Sequence, residues 1–165
     1  MHIITEFLPE NKILTKIMWF IYYEPIDSIE IHEGDYEYKN PEQNFFNKVI
    51  IKKNNTKNKR YLVLPIQRFA KNYKVILLPD EKIIVGELFT IIYNFYNQKI
   101  LTYEEIKELN DDDVFDYVNN ACINHKRKNK DIKYINIMGD KRIYEFIYVS
   151  KDKSGDVQYL LSLGS

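Results

Sequence analysis

Residues 83–96, IIVGELFTIIYNFY from Ile83 to Tyr96, carry apolar side chains at helical spacing over about three turns. Leu88, Ile91, Ile92, Phe95 and Tyr96 fall at i, i+3, i+4, i+7 and i+8, the stripe of a helix with one buried face. Burying that stripe contributes on the order of 10 kcal/mol before chain entropy is subtracted. The spacing therefore predicts a central core helix onto which the rest of the chain packs. No catalytic or cofactor motif of comparable strength occurs elsewhere.

Upstream of this helix, Pro79-Asp80-Glu81 reads as a turn. Before it, Tyr61 to Ile66 and Tyr73 to Leu78 are two β-branched and apolar runs six residues apart, the pattern of paired antiparallel strands. Val49-Ile50-Ile51 is a short strand that runs into a polar loop, Lys52 to Arg60 (KKNNTKNKR). Ser28 to Tyr38 alternates, with Ile29 and Ile31 opposite Glu30 and His32, and Gly34-Asp35 offers a hairpin turn. Lys12 to Glu24 suits a helix through Ile13, Ile17, Phe20 and Ile21, but aromatic and β-branched crowding from Ile17 to Tyr23 favours a buried strand. Residues 1–11 read as an arm or a short edge strand.

Downstream, Thr102-Tyr103-Glu104-Glu105 matches a capping box that opens a short helix from Tyr103 to about Leu109. Asp111, Asp112 and Asp113 cap a further helix with Val114, Phe115, Tyr117, Val118, Ala121 and Cys122 on its apolar side. His125-Lys126-Arg127-Lys128 stands at its negative end, in agreement with the helix dipole. The tail reads as three strands, Tyr134–Met138, Arg142–Val149 and Val157–Leu163, joined by turns at Gly139-Asp140 and Lys151 to Asp156. Leu163-Gly164-Ser165 is expected to pack inside. Strands, helices, then strands predict an α+β domain. It would have a mostly antiparallel sheet, about three helices inserted mid-chain, and a C-terminal three-stranded meander. The chain is expected to be a single domain, 1–165, with N-terminal strands and arm over 1–60 and an α+β core over 61–165.

The chain has 165 residues, enough to bury a core without a metal or a disulfide. Its single cysteine, Cys122, excludes an internal disulfide and argues for a reducing compartment. The N-terminus lacks a basic leader, and the longest apolar run, Ile13 to Tyr23, contains Lys16 and is too short to span a bilayer. An intracellular, soluble protein without a membrane partner is expected. Lys+Arg and Asp+Glu balance at 24 each, so overall charge does not select nucleic acid or anionic membrane as the main partner.

VGELFTIIYNFYNQKILTYEEIKEL (85–109), IKYINIMGDKRIYEFIYV (132–149) and the terminal YLLSLGS (159–165) resemble a family of small domains found as multiple paralogues in giant DNA viruses of amoebae. A related domain occurs in mushroom-forming fungi. The resemblance covers roughly Tyr61 to Ser165. It rests on Leu101-Thr102 after the helix, the Met138-Gly139-Asp140 turn, and the Leu161 to Ser165 terminus. Relatives usually carry Phe-Glu-Gly after the turn, whereas this chain has Tyr144-Glu145-Phe146, so a tight bend there does not carry over. The resemblance implies a viral protein of the host cytoplasm, virus factory or virion. It implies no activity.

Several constellations invite a chemical reading. His32, Glu33 and Asp35 have metal-binding side chains, but fit a strand and turn better. Cys122 and His125 stand at i, i+3, yet Cys122 falls on the apolar side of its helix and reads as core. Asp111, Asp112, Asp113 and Asp116 are read as cap residues rather than a metal cluster. Asp140 and Glu145 form a possible carboxylate pair for hydrolysis, less favoured than a turn aspartate. No glycine-rich phosphate loop, nucleophile elbow or zinc spacing is present. No catalytic residue, metal or cofactor is therefore assigned.

Two binding readings remain. Trp19, Tyr22, Tyr23, Tyr36 and Tyr38 are residue types that favour contact surfaces, and predict a non-enzymatic interaction or structural module with a viral or host protein partner. The alternative is an accessory single-stranded nucleic-acid binder. It would use Lys52, Lys53, Lys57, Lys59 and Arg60, with Lys126, Arg127 and Lys128 of the basic loop 126–133.

Overall fold

The computed structural model describes residues 4–7, 12–34, 36–66, 73–102, 104–105 and 132–165. The expected cap and helix at Asp111–Cys122, with Asp116, His125 and the Lys126–Lys128 cluster, lie outside these residues. So do Asp35 and most of the helix expected to begin at Tyr103. At the start of that helix, the Glu105 amide donates to Thr102 Oγ1 at 3.2 Å, which is the predicted cap.

The predicted core helix is α2, Val85–Asn97, and buries Val85, Leu88, Phe89, Ile92, Phe95 and Tyr96. Ile91 is only half-buried. At its N-terminus the Glu87 carboxylate reaches back to the Ile84 amide at 3.3 Å and satisfies one of the otherwise orphan donors. At its C-terminus Asn97 donates to the Ile21 carbonyl at 2.7 Å and to that of Tyr93 at 2.9 Å, which ties the helix to the N-terminal segment.

α2 covers a five-stranded sheet of β1 (Ile4–Phe7), β9 (Ile143–Lys151), β10 (Val157–Gly164), β6 (Arg60–Pro65) and β7 (Tyr73–Leu77), in that spatial order. Leu62, Leu64, Ile147, Tyr159 and Leu161 meet the helix in one buried cluster. Tyr96 donates to the Pro65 carbonyl of β6 at 2.6 Å. Phe89 sits edge-on between Trp19 (5.3 Å) and Tyr144 (5.2 Å), so it links the sheet to the N-terminal layer. That layer holds the small sheet β2 (Ile17–Met18), β3 (Glu30–Gly34) and β4 (Glu37–Lys39), and the one-turn helix α1 (Pro25–Ser28). β5 (Val49–Ile51) pairs with β8 (Ile83–Ile84) just before α2.

The class is α+β and the pairing mostly antiparallel, as expected. The β3–β4 hairpin occurs where the alternation places it, and the β6–β7 pair where the two β-branched and apolar runs place it. β10 ends at Gly164, which is buried, while Leu163 is half-buried and Ser165 exposed, so the terminus packs inside only in part. Gly139 (φ 61°) and Gly155 (φ 89°) occupy the left-handed conformation that the two predicted tail turns require.

Three features differ from the reading. Tyr134 to Met138, expected as a strand, forms the short helix α3 (Tyr134–Ile137). The Asn136 side chain accepts from the Lys133 amide at 2.9 Å and fixes that turn, while Tyr134, Ile135, Ile137 and Met138 are all buried. The third antiparallel strand beside β9 and β10 is β1, from the opposite end of the chain. Second, β10 also pairs with β6 in parallel, Val157 opposite Arg60 through Leu160 opposite Val63. Third, Lys12 to Lys16 form a 3-10 turn, only Ile17–Met18 are strand, Phe20 makes a single bridge to Ile143, and Ile21 to Tyr23 turn. No helix among the described residues is long and apolar enough to cross a membrane.

Candidate interaction surface

β7 forms one edge of the five-stranded sheet. Its register against β6 runs from Tyr61 opposite Leu77 to Pro65 opposite Tyr73, and the Leu78 amide donates to the Arg60 carbonyl at 2.8 Å. Antiparallel pairs alternate between bonded and non-bonded. Lys74, Ile76 and Leu78 therefore turn their main-chain groups toward β6, while Tyr73, Val75 and Leu77 turn theirs off the edge.

The same three residues carry their side chains on the face of the sheet away from α2. Tyr73 is 46% exposed, Val75 56% and Leu77 60%. Beside them on that face lie Tyr61, Val63 and Pro65 of β6, their register partners, of which Val63 and Pro65 are buried. An apolar strip thus ends at an open sheet edge. Among the described residues no strand pairs with that edge.

Of the aromatics singled out in the sequence, Trp19 does not belong to a surface. It is fully buried, with its indole N–H donating to the Tyr23 carbonyl at 2.9 Å. Its apolar bulk, at the join of the two layers, outweighs the polar handle that suits tryptophan to interfaces. Tyr22 is half-buried against the core, beside Tyr23 and the Arg142 guanidinium. Tyr23, Tyr36 and Tyr38 are exposed.

Arg60, expected as a nucleic-acid contact, is instead only 5% exposed. Its guanidinium donates to the carbonyls of Lys52, Pro79 and Glu81, the last at 2.8 Å. It closes the 52–60 loop onto the turn before α2 and is part of the core structure. The exposed Lys52, Lys53, Lys57 and Lys59 sit on a loop braced by its own polar residues. Asn54 donates to Asp80 at 2.8 Å and to the Asn58 carbonyl at 2.7 Å, and the Lys59 amide donates to Asp156 at 2.9 Å. Both aspartates place negative charge among these lysines, which weakens the patch for phosphate. Nearby, hydrogen bonds from Ser154 and Asp156 hold the Asp152 carboxyl below its ordinary pKa and fix the β9–β10 turn.

A groove of about 340 Å3 opens between the β3–β4 hairpin and the 3-10 turn at Phe45–Asn47. Lys16, Lys39 and Lys48 line it together with Glu33, Glu42 and His32. Lys39 pairs with Glu33, which raises the ammonium pKa, and His32 stacks edge-on against Tyr38 at 5.2 Å. The charges largely offset one another. Among the described residues no three His, Cys, Asp or Glu side chains converge to hold a metal ion. Glu145 accepts a hydrogen bond from Ser162 at 2.8 Å across the β9–β10 pair, and Asp140 lies exposed in the turn at Gly139.

The chain matches no family model, no curated protein and no solved structure.

Proposed function

We propose that this chain is a non-enzymatic protein-interaction module of a large DNA virus, and that its contact surface is the open edge and outward face of β7. The observation that carries this reading is the apolar triplet Tyr73, Val75 and Leu77, exposed on a strand whose outward main-chain groups have no partner among the described residues. Such an edge is a template for strand addition, in which backbone hydrogen bonds supply affinity and alternate side chains supply specificity. Exposed Tyr23, Tyr36 and Tyr38 offer further contact area in the N-terminal layer. The viral setting is supported only by the resemblance carried by Leu101-Thr102, Met138-Gly139-Asp140 and Leu161 to Ser165.

Single-stranded nucleic-acid binding by the 52–60 loop has less support, because Arg60 is withdrawn into the core and Asp80 and Asp156 sit among the lysines. Affinity capture with the tagged protein, with and without nuclease, separates the two. The module reading expects partners that survive nuclease and are lost with Leu77→Glu. Partners that vanish with nuclease and persist with Leu77→Glu would transfer the assignment to the lysine loop.

A further inference from the structure

The open edge of β7 is complementary to itself. Val75 is the middle of its five residues, and Tyr73 and Leu77 stand symmetrically on either side. We propose that β7 pairs antiparallel with β7 of a second copy of this chain, about a two-fold axis at Val75, and so joins two five-stranded sheets into one. The proposal rests on the reading of β7 as the contact surface and names what occupies it.

Three observations select this occupant. Tyr73, Val75 and Leu77 all direct their N–H and C=O outward, so a two-fold at Val75 places Val75 opposite Val75 and Tyr73 opposite Leu77 as hydrogen-bonded pairs. Three such pairs exchange about six main-chain hydrogen bonds, the most any antiparallel self-register of this strand provides. The only charge on the strand is Lys74. In this register it faces Ile76 of the other copy, whereas a shift of two residues toward the N-terminus would set Lys74 against Lys74, a destabilising pair. Finally, a two-fold perpendicular to the sheet keeps both outward faces on one side. The two exposed triplets then lie as neighbouring cross-strand Tyr–Leu and Val–Val pairs, and each covers part of the other's apolar surface.

A ladder this short falls below the roughly 1,000 Å2 of a stable interface, so the expected dimer is weak, with Kd on the order of micromolar or above. Sedimentation velocity of the full chain over a concentration series tests it. The wild type should dimerise as concentration rises. Val75→Pro removes an outward N–H without removing a bond to β6, a position where an edge strand tolerates proline, and should weaken the dimer at least about tenfold with unchanged circular dichroism. Val75→Lys and Val75→Glu should each be monomeric through like-charge repulsion at the axis, and their equimolar mixture should dimerise again.

A wild type that stays monomeric overturns the proposal, the edge then being covered by another segment of this chain or by a different protein. A dimer that survives Val75→Pro and both charged variants also overturns it. If the wild type is monomeric but Leu77→Glu still abolishes partner capture, the self-pairing fails while the interaction-module reading stands. If Leu77→Glu changes neither, both fail.

Discussion

Tyrosine to phenylalanine is expected to act with opposite sign at two buried positions. The Tyr96 hydroxyl donates to the Pro65 carbonyl inside the core. Tyr96→Phe leaves that carbonyl unpaired and should lower stability by about 1–3 kcal/mol in urea unfolding. The Tyr144 hydroxyl is buried without a hydrogen-bond partner among the described residues, so Tyr144→Phe removes an unsatisfied group and should be neutral or raise stability by about 1 kcal/mol. Both hydroxyls share one pH consequence. Burial raises the pKa of Tyr96 and Tyr144, and burial with the Glu105 carboxylate raises Tyr134 to about 12. Above roughly pH 10 the unfolded chain releases these protons while the folded chain keeps them. Their stabilisation is thus complete below pH 10 and declines as pH climbs toward the folded values. Melting temperatures taken from about pH 9 to 11 should fall, and fall less steeply in Tyr96→Phe. Arg60 illustrates how a residue type misleads. In KKNNTKNKR nothing marks Arg60 off from its lysine neighbours, yet its buried side chain ties down three backbone carbonyls. Arg60→Met should cost about 3 kcal/mol, whereas Lys57→Ala should stay within about 0.5 kcal/mol, since only the first removes a buried guanidinium that bonds three backbone carbonyls.

At the scale of elements, those with a one-sided pattern could be read from the sequence. α2, the β3–β4 hairpin and the β6–β7 pair each set apolar against polar at one period, or sit between unambiguous turns. Where burial is on all sides the period disappears. Tyr134 to Met138 is nearly continuous apolar sequence, and the hydrogen bond from Lys133 to Asn136 that makes it helical leaves no trace in a hydrophobic pattern. β7 is the converse case. Its outward residues are as apolar as its inward ones, so the run predicts a strand without showing which face is exposed. The exposed edge of β7 therefore shows only in the sheet order, whereas the aromatic residue types point to Trp19, which the core uses. The C-terminus gives an element-scale test. Removing Leu163-Gly164-Ser165 deletes the pairings of Leu163 with Tyr144 and Gly164 with Ile143, and should lower the melting temperature by roughly 5 °C.

At the scale of the whole molecule, β10 closes the topology. It lies antiparallel to β9 and parallel to β6, so the last strand of the chain joins the N-terminal edge to the β6–β7 pair, and α2 covers the result. One edge of this sheet ends at β7, and among the described residues no strand covers it; that edge is where we propose a partner pairs. Residue-resolved amide hydrogen exchange in dilute protein tests it most directly. Within β7 the amides of Lys74 and Ile76, bonded to β6, should be strongly protected, while those of Tyr73, Val75 and Leu77 exchange close to the unstructured rate and slow down only as protein concentration or a partner is raised. Equal protection at all five positions in the dilute monomer would show the edge already occupied, and would rule out pairing of β7 with a partner.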